Sequence, residues 1–217
     1  YFRKYYNIRT IYTLRKYARK IPDIITETQH MGLKYFDKTN KTIKYADAEK
    51  HANYITKTVQ GSVIAGSYRR KLKMIGDIDV IITGDLKKTV DKLILNKYII
   101  AELAMGEEKF SGIVKLPNTS SYRRIDIVRT TKEEMPFALL HFTGDFVQNI
   151  SMRQKAKKMK HSLSQHGIRN VKTGKMVKNI NSEKDIFTFL KMSYKNPEER
   201  SHTGKEKEIL SKLKIKK

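Results

Sequence analysis

Hydrophobic and polar residues follow a helix-like period through the first part of the chain. Over residues 1–60, apolar side chains recur every three or four positions, with a break at Ile21-Pro22-Asp23. Because proline lacks the N–H that a helix interior needs, this pattern predicts helices on both sides of the break. The second helical stretch leads into the segment MGLKYF at residues 31–36.

The period shortens to that of β-strands between Ser62 and about Val128. Three β-branched runs bounded by glycine predict strands at Val63–Ala65, Asp79–Ile82 and Ile125–Val128. Between the second and third runs, an amphipathic pattern predicts a helix over Leu86–Leu95. Strands interspersed with helices indicate an α+β protein.

The last third of the chain is again mostly helical in pattern. A basic helix is expected from just after Phe142-Thr143-Gly144 to about Lys160, and another over Ser182–Tyr194. Glycine and asparagine punctuate the stretch between them. Residues 203–217 are expected to form a basic, partly amphipathic tail.

The charge balance points to a polyanionic partner. Lys and Arg number 46 against 22 Asp and Glu, a formal charge of +24 spread along the whole chain. Such a surface gains affinity for a phosphate backbone through counterion release, although a merely solvated surface or an anionic membrane face would also accommodate it. No apolar run approaches the roughly 18 residues that a membrane span needs, so no membrane association is expected.

The absence of cysteine removes two classes of site and is compatible with a reducing compartment. Disulfides and thiolate zinc sites are excluded, since the chain has no Cys. No signal peptide is visible, and the chain opens on Tyr1 rather than Met, so we expect a fragment or a trimmed product.

Two carboxylates on one predicted strand give the sharpest chemical signal. Side chains alternate across a strand, so Asp77 and Asp79 share one face while Ile78, Val80 and Ile82 point into the core. Carboxylates about 7 Å apart repel each other unless a cation lies between them, and oxygen ligands suit Mg²⁺ or Mn²⁺. The alternative is an exposed strand edge without a ligand.

A small turn just before this strand is suited to an anion. Gly66 and Ser67 end one strand before a predicted helical turn starting at Tyr68, so backbone amides and the Ser67 hydroxyl can face a phosphate. Arg70 adds a charged donor, and Gly76 allows close backbone approach. Gly-Ser pairs are common in loops, so the turn alone is weak evidence for a phosphate site. It becomes strong evidence together with Asp77 and Asp79 at this spacing.

A third carboxylate, Asp126, lies on the predicted strand Ile125–Val128. It faces away from the core, on the same side as Arg124. Its alternative role is a structural ion pair with Arg124. Three convergent carboxylates allow a two-metal site for in-line phosphoryl transfer.

These motifs together resemble family X DNA polymerases of the polymerase β kind. The segments that carry the resemblance are GSYRR, GDIDVIIT, RRIDIV, HFTG with the helix after it, SEKDIF and YKNPEER. MGLKYF at residues 31–36 and GEEKFSGIVKLP at 106–117 also look like family segments, so the resemblance runs from about residue 1 to Arg200. The Gly-Ser turn with the Asp77 and Asp79 pair alone would indicate only the wider nucleotidyltransferase superfamily. The segments from residue 141 onward narrow it to the polymerases.

The resemblance implies a fold and a division of the chain. The fold would be a polymerase β-like nucleotidyltransferase palm, a mixed sheet with flanking helices, with a partial helical fingers-type subdomain before it and a small α/β subdomain after it. The boundaries would be 1–45 for the partial helical DNA-binding subdomain, 46–140 for the catalytic palm, 141–202 for the nucleotide-selection subdomain and 203–217 for the basic tail. No lyase activity is expected, because no lyase-type segment precedes Tyr1 in the sequence.

It also implies roles for individual residues. Asp77 and Asp79 would bind two Mg²⁺ ions, with Mn²⁺ as a possible substitute, and Asp126 would hold the catalytic ion near the primer 3′-hydroxyl. The incoming nucleotide would contact the residues of the turn and of the segment around HFTG: Gly66, Ser67, Arg70, Gly76, His141, Phe142, Gly144 and Asn149. DNA would contact Lys109, Arg124 and Arg153.

Several positions depart from the family pattern. Thr42 lies where an Arg often contacts the triphosphate, and Phe146 and Ile150 replace the charged neighbours of Asn149. Gln165 and Val128 replace a Glu and an Arg that exchange partners during closure, which suggests a different closing mechanism. His141, the Asn149-Ile150 pair and Gln165 look more like the small X-family polymerases of large DNA viruses.

The expected activity is template-directed addition of deoxynucleotides to a primer on gapped or primed DNA, by a monomer filling short gaps during repair. The expected location is intracellular: a host nucleus or cytoplasm, or a virion, if the source is viral. Two alternatives stay open, a template-independent or RNA-end nucleotidyltransferase and a non-catalytic DNA-binding relative.

Overall fold

The structure, a computed structural model, describes residues 2–202. Its α-helices are α1 (Phe2–Tyr6), α2 (Ile11–Lys20), α3 (Glu27–Thr39), α4 (Tyr45–Thr58), α5 (Gly66–Arg69), α6 (Leu86–Leu95), α7 (Met135–Thr143), α8 (Phe146–Lys158) and α9 (Glu183–Phe189). Its strands are β1 (Ile43–Lys44), β2 (Val63–Ile64), β3 (Met74–Ile75), β4 (Asp77–Ile82), β5 (Ile99–Met105), β6 (Lys109–Lys115), β7 (Tyr122–Arg129), β8 (His161–Ser164) and β9 (Gly167–Asn170). Short 3-10 helices span Pro22–Ile24 and Pro197–Arg200.

Helices α2 and α3 confirm the helical interpretation of the first residues. The Thr10 hydroxyl accepts a 3.0 Å bond from the Thr13 N–H at the start of α2. Thr26 and Gln29 form a capping box at the start of α3. Pro22 opens the 3-10 helix between them, as the break in the pattern predicts. The pairing of β1 with β3 was not predicted.

A five-stranded sheet in the order β2-β4-β7-β6-β5 forms the centre of the molecule. Strands β4 and β7 are parallel, while every other neighbouring pair in this sheet is antiparallel. Apolar residues of one face, among them Ile78, Val80 and Ile127, pack with residues of α4 and α6 into a buried core. The opposite face is therefore free to carry polar side chains.

The predicted strands and the helix between them are confirmed, and a hairpin was missed. Helix α6 has the predicted bounds, Leu86–Leu95. Strand β4 starts two residues earlier than predicted, at Asp77, and β7 is longer at both ends. Strands β5 and β6 form the antiparallel hairpin that the sequence analysis did not identify as strands. The α+β class is confirmed by this mixed sheet and its flanking helices.

The C-terminal part has its own core, built by α7, α8, α9 and the β8–β9 hairpin around residues such as Phe137, Met152 and Phe187. Helix α7 was not predicted. Helix α9 is shorter than the predicted Ser182–Tyr194, because Lys191 adopts a left-handed backbone with φ 52°. Tyr194 lies in the loop after α9, but its ring still packs against that of Phe187, with centroids 5.3 Å apart. The sequence pattern assigned this residue to a helix because it packs on the core.

No helix among residues 2–202 is long and apolar enough to cross a membrane. The predicted tail at residues 203–217 lies outside the described residues.

Candidate active site

Parallel pairing of β4 and β7 places the three predicted carboxylates on one face of the sheet. Asp79 is the register partner of Asp126, and Asp77 lies two residues earlier on β4. Ile78 and Ile125 point to the other face and are buried in the core. Burial of the apolar face therefore fixes which way the acidic residues point.

The electrostatics of this cluster centre on Asp79. Burial, followed by the neighbouring charges of Asp77 and Asp126, raises its pKa from 3.8 to about 7, against weaker opposition from Lys109 and Arg70. Ionisation of Asp79 is costly because it adds negative charge to a poorly solvated acidic cluster. A bound cation would remove that cost.

Asp126 already has two partners, both on β6. Ser111 Oγ donates to Asp126 Oδ1 at 2.5 Å, and Lys109 Nζ lies 3.0 Å from Oδ2. The alternative ion pair with Arg124 is not the one observed, since the only ion pair of Asp126 with a described residue is with Lys109. Arg124 lies in register with Asp77 and is exposed, and what Lys109 and Arg124 contact in DNA stays a prediction.

The side chains as they stand do not form a ready metal cage. Among residues 2–202, no group of three or more Asp, Glu, His or Cys side chains is arranged to hold an ion. The donors nevertheless fit a hard divalent cation, because they are carboxylates and the site penalises their uncompensated charge. Use of Asp126 as a ligand would require the Lys109 ammonium to leave Oδ2.

The Gly-Ser turn lies directly against this cluster. Gly66 opens the one-turn helix α5, two residues earlier than predicted, with φ 57°. A Cβ at this position would lie 2.9 Å from Asp79 Cγ and would overlap Oδ2. The Ser67 hydroxyl forms no hydrogen bond with any described residue, which leaves it available to a ligand. At Gly76 an added Cβ would meet open space.

Arg70 connects the turn to the segment around Gly144. Its Nη1 donates to the Thr143 carbonyl oxygen, while its buried Nε has no partner in the described part of the chain. Burial lowers the pKa of Arg70, and the nearby Asp145, Asp79 and Asp77 counteract that effect. Gly144, at φ 69°, leaves room for this guanidinium, since an added Cβ would lie 3.2 Å from Nη1. A buried N–H without a partner favours an anionic ligand here.

A buried ion network was missed by the sequence analysis. Arg69 donates to both oxygens of Glu183, at 3.0 and 2.6 Å, and Arg200 Nη1 donates to Oε1 at 2.5 Å. Although burial raises the pKa of Glu183, hydrogen bonds from both Arg residues hold it below its usual range. The network ties α5 to α9 and to the chain at Arg200. The segments SEKDIF, YKNPEER and GSYRR contain Glu183, Arg200 and Arg69, but nothing in them indicated mutual contact.

Two residues one turn apart on α8, Asn149 and Arg153, contact His141. Asn149 Nδ2 donates to the His141 carbonyl oxygen at 2.7 Å, and Arg153 Nη2 lies 3.2 Å from His141 Nδ1. Burial, followed by the charge of Arg153, lowers the pKa of His141. The Phe146 side chain is 65% exposed, so it is not an ordinary packing residue. Phe142 packs beside Ala65 and Ile81, behind the Gly-Ser turn.

Two protein-family models match the chain. The model described as DNA polymerase beta palm matches residues 38–132, and that described as DNA polymerase beta thumb matches residues 138–201. DNA polymerase lambda of Rattus norvegicus is 32% identical over 205 residues, which cover 81% of this chain and 36% of the rat protein. Repair DNA polymerase X of African swine fever virus is 28% identical over 158 residues, covering 70% of this chain and 89% of the viral protein.

A solved structure shows the same fold. Leishmania infantum polymerase beta, in a ternary gap complex, has a TM-score of 0.82 and 29% sequence identity over 92% of this chain and 83% of that chain. The present chain spans only about a third of the length of the rat relative.

Proposed function

Since the chain belongs to the family X DNA polymerases, we propose that it adds deoxynucleotides to the 3′ end of a primer paired with a template. The observation that carries this proposal is the register of Asp79 with Asp126, beside a Gly-Ser turn that contacts Asp79. Acidic residues that repel each other on one sheet face have little structural use without a cation. A non-catalytic DNA-binding relative would have no need of them.

The incoming nucleotide would lie between α5 and α8. Its phosphates would meet the Ser67 hydroxyl and the free Nε of Arg70, both of which lack a partner among the described residues. Its sugar and base would lie near Phe142, Gly144 and Asn149. Asn149 would have to exchange its bond to the His141 carbonyl for one to the nucleotide.

Asp77, Asp79 and Asp126 would hold the divalent metal ions, Mg²⁺ by the chemistry of the donors. Such ions neutralise phosphate charge and lower the pKa of a bound hydroxyl. The protein's own contribution is to position these carboxylates and the triphosphate, which is the main part of catalysis in phosphoryl transfer.

Primed or gapped DNA is the proposed substrate. The Leishmania relative was solved in a gap complex, and the present chain carries a net charge of +24. Lys109, Arg124 and Arg153 are the proposed DNA contacts near the site. We propose that the chain acts as a monomer and fills short gaps inside a cell.

A primer-extension assay on gapped DNA tests the proposal. Extension should require Mg²⁺ or Mn²⁺ and should follow the template base. Asp126→Ala should abolish extension and leave DNA affinity nearly unchanged. Equal extension with and without a template strand would instead indicate a template-independent nucleotidyltransferase. Full activity of Asp126→Ala would remove the proposed mechanism.

A further inference from the structure

Ser111 is directly opposite Asp126 across the β6–β7 ladder. The two residues are register partners, and Ser111 Oγ lies 2.5 Å from Asp126 Oδ1. The hydroxyl is partly buried and has a short stem, so its position follows from that of the strand backbone. A hydroxyl that donates to an ionised carboxylate forms one of the stronger hydrogen bonds available to a side chain. The sequence pattern assigned no role to this serine.

The other oxygen of Asp126 has a partner of a different kind. Lys109 Nζ contacts Oδ2 at 3.0 Å from a side chain that is 52% exposed, whereas the Asp126 side chain is 19% exposed. An ammonium on a long, solvated stem can move away at little cost. The two oxygens of Asp126 are therefore unequal: Oδ1 is held by the strand, and Oδ2 has an exchangeable cation beside it.

We propose that Ser111 is a positioning residue for Asp126. By fixing Oδ1, Ser111 keeps Oδ2 directed at the position that the Lys109 ammonium occupies in this structure. A divalent ion would bind Oδ2 at that position. Without the hydroxyl, the Asp126 carboxylate can rotate and adopt other orientations. The ion must then orient the carboxylate as it binds, which lowers its affinity. This inference rests on the proposed function, because it assigns Asp126 to metal binding.

Direct titration with Mn²⁺ tests the proposal without any turnover. The free ion is followed by electron paramagnetic resonance, with the protein at fixed pH and without DNA. Ser111→Ala should weaken Mn²⁺ binding by about tenfold, the lower end of the range for residues that orient a metal ligand. Ser111→Thr keeps the hydroxyl on a strand and should restore binding to near the wild-type value. Ser162→Ala makes the same change at an exposed serine of β8 and should have no effect.

Lys109→Met supplies the opposite expectation. It removes the ammonium that occupies Oδ2, so Mn²⁺ should bind several-fold more tightly. Primer extension gives a second readout: Ser111→Ala should be slow at low Mn²⁺ and should recover at saturating Mn²⁺, with the KM for the nucleotide little changed.

The variants distinguish failure of the proposed function from failure of the role assigned to Ser111. Unchanged Mn²⁺ binding in Asp126→Asn would show that this carboxylate holds no ion, and the proposed function would fail together with the inference. If Asp126→Asn loses binding but Ser111→Ala keeps it, with both proteins folded by circular dichroism, only the role of Ser111 is refuted. A Ser111→Thr variant as weak as Ser111→Ala would likewise overturn the positioning role.

Discussion

Gly66 packs against the Asp79 carboxylate so closely that no side chain can be added there. A Cβ at Gly66 would overlap Asp79 Oδ2, and the glycine backbone lies in the left-handed region at φ 57°. The Gly-Ser turn and strand β4, to which we assign the triphosphate and the metal ions, are therefore fitted to each other through a position that has no side chain.

Gly66→Ala should abolish primer extension and also lower stability. The left-handed backbone costs alanine about 1–2 kcal/mol, and the overlap must displace Asp79 in addition. Gly61→Ala is a matched control, because Gly61 also has a left-handed backbone, at φ 75°, but an added Cβ would meet open space. Chemical denaturation and primer extension should show comparable strain in both variants and lost activity only in Gly66→Ala. Full activity in Gly66→Ala would mean that Asp79 tolerates displacement.

Asp79 should make the metal-free protein less stable as the pH rises. Its folded pKa of about 7 lies above its usual value of 3.8. The protonated group is therefore favoured by folding, and its contribution is complete below about pH 4 and lost as the pH rises through about 7. Asp79→Asn should remove this decline. The free energy of unfolding of the variant should therefore rise relative to that of the wild type as the pH increases from about 4 to about 7. Urea denaturation in EDTA at several pH values measures it, and parallel curves would contradict the expectation.

His51 should impose the opposite pH dependence. It is fully buried, with Nδ1 2.8 Å from the Tyr98 hydroxyl oxygen. Burial, followed by the charge of Arg123, lowers its pKa to about 4 from 6.5. A depressed pKa stabilises the folded state above about pH 6.5, and this stability is lost as the pH falls through about 4. His51→Gln should be less stable at pH 8 but should lose less on acidification. The check is the same denaturation series, in which an unchanged acid slope would exclude His51 as its source.

Glu183→Ala should be among the most destabilising single changes in the chain. It leaves Arg200, which has no exposed surface, and the largely buried Arg69 without their shared carboxylate. Breaking a buried pair of this kind costs about 3–5 kcal/mol. Glu198→Ala breaks an ion pair with Lys71 whose side chains are 63% and 53% exposed, and it should cost less than about 1 kcal/mol. Similar losses in the two variants would show that the buried network contributes little.

The part of the site that could be predicted from sequence is the part with a local pattern. Alternation along β4 and β7 indicated that Asp77, Asp79 and Asp126 point away from the core. The isoleucines next to them in sequence are buried, so the aspartates must lie on the opposite face of the sheet. The bounds of α6 followed from its amphipathic period. Both inferences depend on residues only a few positions apart.

Contacts between residues far apart in the sequence could not be predicted from such local patterns. Arg69 meets Glu183 across 114 positions, and neither residue belongs to a local pattern that names its partner. Strand β5 was missed because its register shifts twice against β6, which breaks the alternation. Ser111 is one ordinary serine in a strand, and its importance appears only when β6 lies beside β7.

The central place of β7 in the sheet has a consequence for how the protein acquires its site during folding. Asp79 and Asp126 become neighbours only when β7 has inserted between β4 and β6, which brings together segments far apart in the chain. Contacts of such long range cost loop-closure entropy and therefore form slowly. The same insertion buries Ile125 and Ile127 of β7 in the hydrophobic core, so the step that brings the two carboxylates together also supplies the burial that opposes their repulsion.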